Sequence, residues 1–597
     1  MESHSRYIRG ALFFCLLFGL NQAFAQKYPQ DYFRYPMDSL PNYVSPFGVM
    51  RENHFHSGID LRTNGKIGLP VYAAADGYIS RIKVARGAYG KALYIEHANG
   101  YSTVYAHLDS YYGAIAKWIH DYQYINQTFE FDKIFMKPFL RVKKGDTIGL
   151  SGNSGSSTGP HLHFEIRDSR TEKILNPALF GILPIDNFAP EINKIYVYKF
   201  VREGLLLKKQ LAFTNKTASW QNGFLQLKDT LLLDPDTYGF GIDAVDYIHN
   251  NKDPKGLYSY SFWLNQSHKF THKLNQFAFD ETKYINAHID FPYYKLEKLR
   301  VQKCFVDDGN RFSTYQTDAE KGRVNFAQAA SSGELIFEAA DVNKNKTYVK
   351  ILYKIGLNQM DAERQAYEKQ IANQPMLIPG KANVIEKEGF WANIDEKSLY
   401  DTVCYTMNIF PKTSDAFSQA YHFHSYTTPV HVAFDVAIKL DVAHLAWADK
   451  MVLAYAKTPN DGFYSIGGTY KKGWVQTKAS NFGLFKIMLD TVAPQVKWLL
   501  PKKGKEAADT LRWDFEIKDD FSGIKSYDMF LNGRWIIGDF DAKNDRLTYL
   551  FDEVYFIERE RIYNLENNPA AAKAFRLLVR VVDNKGNKTE RWFEMNP

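Results

Sequence analysis

Between residues 68 and 108, apolar and polar positions alternate in short runs at 71–74, 78–82, 93–97 and 103–107, with Asp76-Gly77 and Asn99-Gly100 between them. Alternation sends successive side chains to opposite faces, and Gly-containing dipeptides reverse the chain tightly. The pattern therefore predicts a compact antiparallel sheet. From 109 to 137 the rhythm changes. Tyr112, Ile115, Ile119 and Tyr122 recur every three to four residues, as on one face of a helix, so a helical insertion is predicted at about 109–137. Alternation resumes at 139–142 and runs through 145–149 to 161–166.

Beyond residue 186 the sequence echoes itself. Asp186-Asn187-Phe188-Ala189-Pro190 matches Asp490-Thr491-Val492-Ala493-Pro494, and each opens an alternating segment. Asp341 with Asn345-Lys346-Thr347 matches Asp583 with Asn587-Lys588-Thr589, and each closes one. Two openings and two closings predict two related β units, 186–356 and 490–597, similar to the immunoglobulin-like sandwiches of exported bacterial proteins. The stretch between them, 357–489, starts with a polar helical segment at 361–373 and returns to short strands, predicting a third sandwich. The expected fold class is all-β and multidomain.

Composition agrees with this picture. A chain of 597 residues exceeds one hydrophobic core, and a usual domain of ~150 residues gives about four units. The 39 Tyr and 43 Phe favour pleated surfaces, on which flat rings pack well. A net charge of +7 on this length is a mild bias and points to no nucleic-acid partner. Residues 1–25 read as a secretory signal: Arg6 and Arg9, an apolar run at 11–20, then Ala23-Phe24-Ala25. The run is about half of the ~20 residues a membrane span needs, so cleavage and export are expected, with no transmembrane segment left. Cys15 falls inside that run, which leaves Cys304 and Cys404. No disulfide framework follows, and the chemistry cannot rest on thiolates.

Histidines crowd the first unit in His54-Phe55-His56-Ser57-Gly58-Ile59-Asp60, at His97, in Tyr105-Ala106-His107-Leu108 and in Gly159-Pro160-His161-Leu162-His163-Phe164. Catalytic zinc uses three imidazole or carboxylate ligands and keeps a fourth position open. Strand residues two apart share a face, so His161 and His163 can reach one site. His56 and Asp60 lie four apart across Gly58, where a tight bend would turn both inward.

These segments, H-x-G-x-D, then Y-A-H-L, then G-P-H-L-H-F-E, resemble the lysostaphin-type (LytM-like, β-lytic) zinc metallopeptidases. The intervening G-x-P-V-x-A-A-x-D-G, Y-G-K-A-L-Y-I-E-H and V-K-K-G-D-T-I-G-L-S-G-N-S-G motifs agree, and together they cover about 125 residues. The resemblance implies a zinc metallopeptidase domain within 26–185, with His56, Asp60 and His163 as zinc ligands and His107 and His161 as catalytic histidines. It also implies an exported peptidoglycan endopeptidase acting in the periplasm or cell envelope, with peptidoglycan peptides as substrate and envelope proteins as partners of the later sandwiches. The competing expectation is a catalytically idle scaffold that activates a partner hydrolase.

Other features read more plainly. His97 looks like a packing residue at a turn, and His54 like a strand residue at the cleft edge. Glu165 is either a group that orients a ligand histidine or a solvated carboxylate. His422-Phe423-His424-Ser425, with His431 nearby, repeats the letters of His54 to Ser57 but lacks the following Gly and Asp. The Gly-rich loop 151–159 lacks the Lys-Ser/Thr of a phosphate cradle, and its glycines are expected to let backbone approach substrate. The insertion is expected to wall or cap the groove.

Overall fold

In a computed structural model, residues 28–595 are described apart from 39–42, 183–185, 202–204, 249–253, 357–360, 500–511 and 567–574. The signal at 1–25 lies outside the described residues. Among those described, no helix is long and apolar enough to cross a membrane.

The first module is built from β1 (Tyr43–Ser45), β2 (Ile59–Arg62), β3 (Gly77–Val84), β4 (Lys91–Glu96), β5 (Tyr101–Tyr111), α1 (Gly113–Asn126), β6 (Phe131–Val142), β7 (Thr147–Ser151) and β8 (His161–Asp168). The main sheet runs β1-β2-β8-β5-β4-β3-β6 with antiparallel pairing, as the alternation predicts. Its core contains Leu61, Ile79, Ile82, Leu93, Tyr105, Leu162 and Phe164, the inward positions of those strands. The predicted helical stretch 109–137 is only partly helical. β5 extends to Tyr111 and β6 starts at Phe131, so the helix is limited to Gly113–Asn126. Residues 131–134 and 139–142 pair with β3, and this pairing along the sheet outcompetes a helix there. Ile115, Ile119 and Gln123 seat α1 on the sheet, and Trp118 meets Phe135 and Phe139 edge-on at 5.2 and 5.3 Å.

Three pairs of sheets follow, each around its own apolar core. In the first, sheets of five and eight strands lie within 191–355, and the short strands Phe224–Gln226 and Leu231–Leu233 join Lys346–Ile355 in parallel. The second pairs two five-stranded sheets within 383–489, after a helix at Asp361–Ile371. The third pairs two four-stranded sheets within 495–595.

Candidate metal and catalytic centre

β2, β8 and β5 lie side by side, and their register builds the site. His163 faces Asp60 across one pairing and Ala106 across the other. His56 stands just before β2. Gly58 lies between it and Asp60, and a Cβ there would meet the Phe164 carbonyl oxygen at 2.3 Å. The glycine is therefore required by close approach to β8 rather than by a tight bend. His107 adopts φ +60° where the β4–β5 register slips, and this bulge turns its ring toward His161 and His163, with centroids at 4.8 and 5.8 Å.

The five predicted side chains converge. The Asp60 Oδ1 lies 2.9 Å from His56 Nε2, 2.9 Å from His163 Nδ1 and 3.4 Å from His161 Nε2, and His56 Nε2 is 3.0 Å from His163 Nδ1. His56, Asp60 and His163 are 1%, 3% and 2% exposed. Each ring has its other nitrogen committed. His56 Nδ1 lies 2.8 Å from the Pro46 carbonyl, His107 Nδ1 2.8 Å from that of Ser154, and His161 Nδ1 2.8 Å from that of Gly159. His163 Nε2 lies 2.8 Å from Glu165 Oε1. Carbonyls and carboxylates only accept, so each of these ring nitrogens donates, and the opposite nitrogen of each neutral ring presents a lone pair. The tautomers thus aim His56 Nε2, His163 Nδ1, His107 Nε2 and His161 Nε2 inward.

Electrostatics support a cation among the first three donors. Burial would lower the pKa of His163, but hydrogen bonds to Asp60 and Glu165, and their charges, outweigh it and push it up to about 9. Burial would raise Asp60, yet the charge on His56 and the close approach of three imidazoles hold it well below the usual carboxylate range. A pocket that attracts positive charge this strongly, with two imidazoles and one carboxylate as donors, fits a divalent zinc-like ion. Burial, then the charges of His163 and His161, lowers His107 to about 3, so it stays neutral at physiological pH.

Glu165 is fully buried, which rules out the solvated alternative. Its Oε2 lies 2.7 Å from Arg167 Nε, and its Oε1 accepts from Tyr89 Oη at 2.5 Å. Tyr89 also meets Ser57 at 3.1 Å, and Arg51 pairs with the outer oxygen of Asp60. Tyr89, Arg167 and Arg51 were missed from sequence. A signal existed for Arg167: His161, His163, Glu165 and Arg167 alternate along one face of β8 with Leu162, Phe164 and Ile166 on the other. Replacing Glu165 with Gln removes the anionic acceptor behind His163, and metal affinity is expected to fall by ~10–100-fold in a chelator-competition titration. A change below about two-fold would reduce Glu165 to a packing role.

The site opens into a cleft of about 1070 Å³. Its lining includes Ser156 and Ser157 of the Gly-rich loop, Pro160 just after it, and Phe279 and Thr282 of the first sandwich. Thr282 Oγ1 accepts from the Phe55 amide at 2.8 Å, and the Arg167 guanidinium lies 4.7 Å from the Phe279 ring. The helix α1 does not line the cleft. It faces the last sandwich instead, where Tyr124 hydrogen-bonds Asp552 and packs edge-on against Trp535 at 5.7 Å. The loop glycines also behave differently from expectation: Gly155, at φ +72°, packs backbone to backbone on Gly90, where a Cβ would meet an amide nitrogen at 2.4 Å.

The remaining histidines lie apart from the centre. His97 spans the Asp76 carbonyl and Thr103 at 2.8 and 2.9 Å, a packing role, and His54 Nδ1 contacts the Glu52 carbonyl at 2.9 Å from the cleft rim. His424 contacts Thr428 at 2.8 Å while His431 stacks on Tyr284 at 4.2 Å, so the repeated letters form no metal cluster among the described residues.

A buried His-Asp-His donor set beside two inward imidazoles on an antiparallel sheet defines a metallopeptidase-type centre. The peptidase family M23 model matches residues 54–118 and 109–177, and this module belongs to that family, the LytM/lysostaphin type. A Zu5-like domain model matches residues 374–490. Among curated relatives, the DD-carboxypeptidase/endopeptidase Mpg of Neisseria meningitidis is 37% identical over 128 residues, 21% of this chain and 24% of that protein. The peptidoglycan DD-endopeptidase ShyA of Vibrio cholerae is 34% identical over 139 residues, 22% of this chain and 26% of that protein. The chain thus spans about a quarter of the length of these relatives. Among solved structures, the lysostaphin catalytic domain of Staphylococcus simulans is 25% identical, covering 23% of this chain and 88% of that one, with a TM-score of 0.18.

Proposed function

We propose that this protein is an exported zinc-dependent endopeptidase that hydrolyses peptide bonds in the stems or cross-links of peptidoglycan. The observation that carries the reading is the convergence of His56, Asp60 and His163 within hydrogen-bond distance, with the bare Nε2 atoms of His107 and His161 beside them. The two relatives named as DD-endopeptidases support the substrate class. His56, Asp60 and His163 would hold the zinc. When bound, zinc lowers the pKa of its water toward ~7 and polarises the scissile carbonyl.

The histidines beside it carry the proton. His107 Nε2 and His161 Nε2 are lone-pair acceptors fixed by backbone carbonyls, so either can take a proton from water, and a protonated ring can then stabilise the oxyanion. The open cleft admits an extended peptide between the loop wall and Phe279. Digestion of purified murein by the zinc-loaded chain is expected to release fragments whose masses identify one cleaved amide. Zinc bound at one equivalent with no fragment released would instead mark an idle scaffold.

A further inference from the structure

The opening and closing motifs of the first sandwich meet in the fold. Asn345 Nδ2 donates to the Asp186 carbonyl at 3.0 Å and to the Asp341 carboxylate at 2.7 Å. Asp246, just after the strand Thr237–Val245, joins them, and carboxylate oxygens of Asp186, Asp246 and Asp341 all lie within 4.8 Å of one another. The three residues are only 8%, 6% and 3% exposed. Among the described residues, no ion pair brings a Lys or Arg to any of them.

One oxygen of this group is left over. Asp246 Oδ1 is enclosed by protein and has no hydrogen-bond partner. A buried acceptor without a donor is costly, and a carboxylate oxygen facing two further carboxylates more so, unless a cation satisfies all three. The carboxylates line a cavity of about 50 Å³, room enough for an ion. Its donors are all oxygen, which suits a hard cation. Several carboxylates with neighbouring amide and carbonyl oxygens in an irregular loop suit calcium over magnesium, which demands near-ideal octahedral geometry.

We propose that Asp186, Asp246 and Asp341 bind a calcium ion at the joint between the peptidase module and the first sandwich. The same cavity is walled by Pro46 and Ile59 of the peptidase module. The Pro46 carbonyl fixes the His56 ring, and Ile59 adjoins Asp60. An ion at this joint therefore steadies the sandwich against the segments that carry two of the proposed zinc ligands.

The last sandwich supplies an internal control. Asp490, Asp519 and Asp583 are also clustered within 4.8 Å, and Asn587 repeats the contacts of Asn345 at 3.2 and 2.7 Å. There, however, Asp519 is half-exposed and accepts from the amides of Phe521 and Gly523 at 3.1 and 2.6 Å.

The test uses the zinc-loaded full chain, stripped of calcium and titrated with calcium chloride. Calcium is expected to bind the wild type and raise its unfolding temperature by about 3 °C or more. Asp246→Asn and Asp341→Asn are expected to weaken that binding at least about ten-fold, and Asp519→Asn to leave it in place. No binding by the wild type at millimolar calcium overturns the proposal, as does undiminished binding by a folded Asp246→Asn. If both variants fail to fold, terbium-soaked wild-type crystals decide. Anomalous scattering at the Asp186–Asp246–Asp341 group supports the proposal, and its absence there overturns it.

Discussion

Replacing His163 with Ala is expected to strip the protein of stoichiometric zinc and to lower murein hydrolysis by at least about 10³-fold, since the Lewis acid supplies several kcal/mol of the barrier reduction. His163 is the centre of the donor set. Its Nδ1 lies within 3.0 Å of both His56 and Asp60, and its Nε2 is held by Glu165. Truncation leaves two donors where three are needed and frees Asp60 from one of its partners. Elemental analysis and fragment release, read beside near-ultraviolet circular dichroism to check folding, measure both losses. A folded variant that keeps one zinc and activity within about ten-fold of wild type would sink the ligand assignment.

Changing His161 to Ala should separate metal from chemistry. His161 sits two residues earlier on the same face of β8, but its Nε2 has no hydrogen-bond partner and lies 3.4 Å from Asp60, outside the tight trio. Zinc content is expected to stay at one equivalent while kcat falls by ~10²–10⁴-fold, the usual worth of a positioned general acid or base. Loss of zinc in this variant would move His161 into the ligand set. Survival of full activity would leave proton transfer to His107 alone.

Local order carried much of this structure into the sequence. Period-two alternation marks the centres of β3, β4 and β5, with ends missed by one to four residues, because it reflects which side chains face the core. The spacing of His161 and His163 gives their shared face for the same reason, and the helix at Asp361–Ile371 falls within the polar stretch 361–373 read as helical. What stayed illegible depends on partners far along the chain. Nothing near Glu165 announces that Tyr89 will reach it, nothing in 131–137 outweighs the helical pattern until β3 is alongside, and Phe279 becomes a cleft wall only through the docking of another module. The insertion misled for that reason too: its Tyr124 answers to Trp535 and Asp552, hundreds of positions away, rather than to the nearby histidines.

The last sandwich also reaches the loop that walls the cleft. Lys543 donates to the carbonyls of Asn153 and Ser157, while Lys91 meets Asp539 at 2.7 Å and the Asp109 carbonyl at 2.9 Å. The first of these contacts joins positions 390 residues apart. A ribosome completes the peptidase sheet long before it delivers the lysine that braces the loop beside His161. A half-made chain therefore owns every proposed ligand and no brace, and cutting power should mature only when the final module has folded back onto the first.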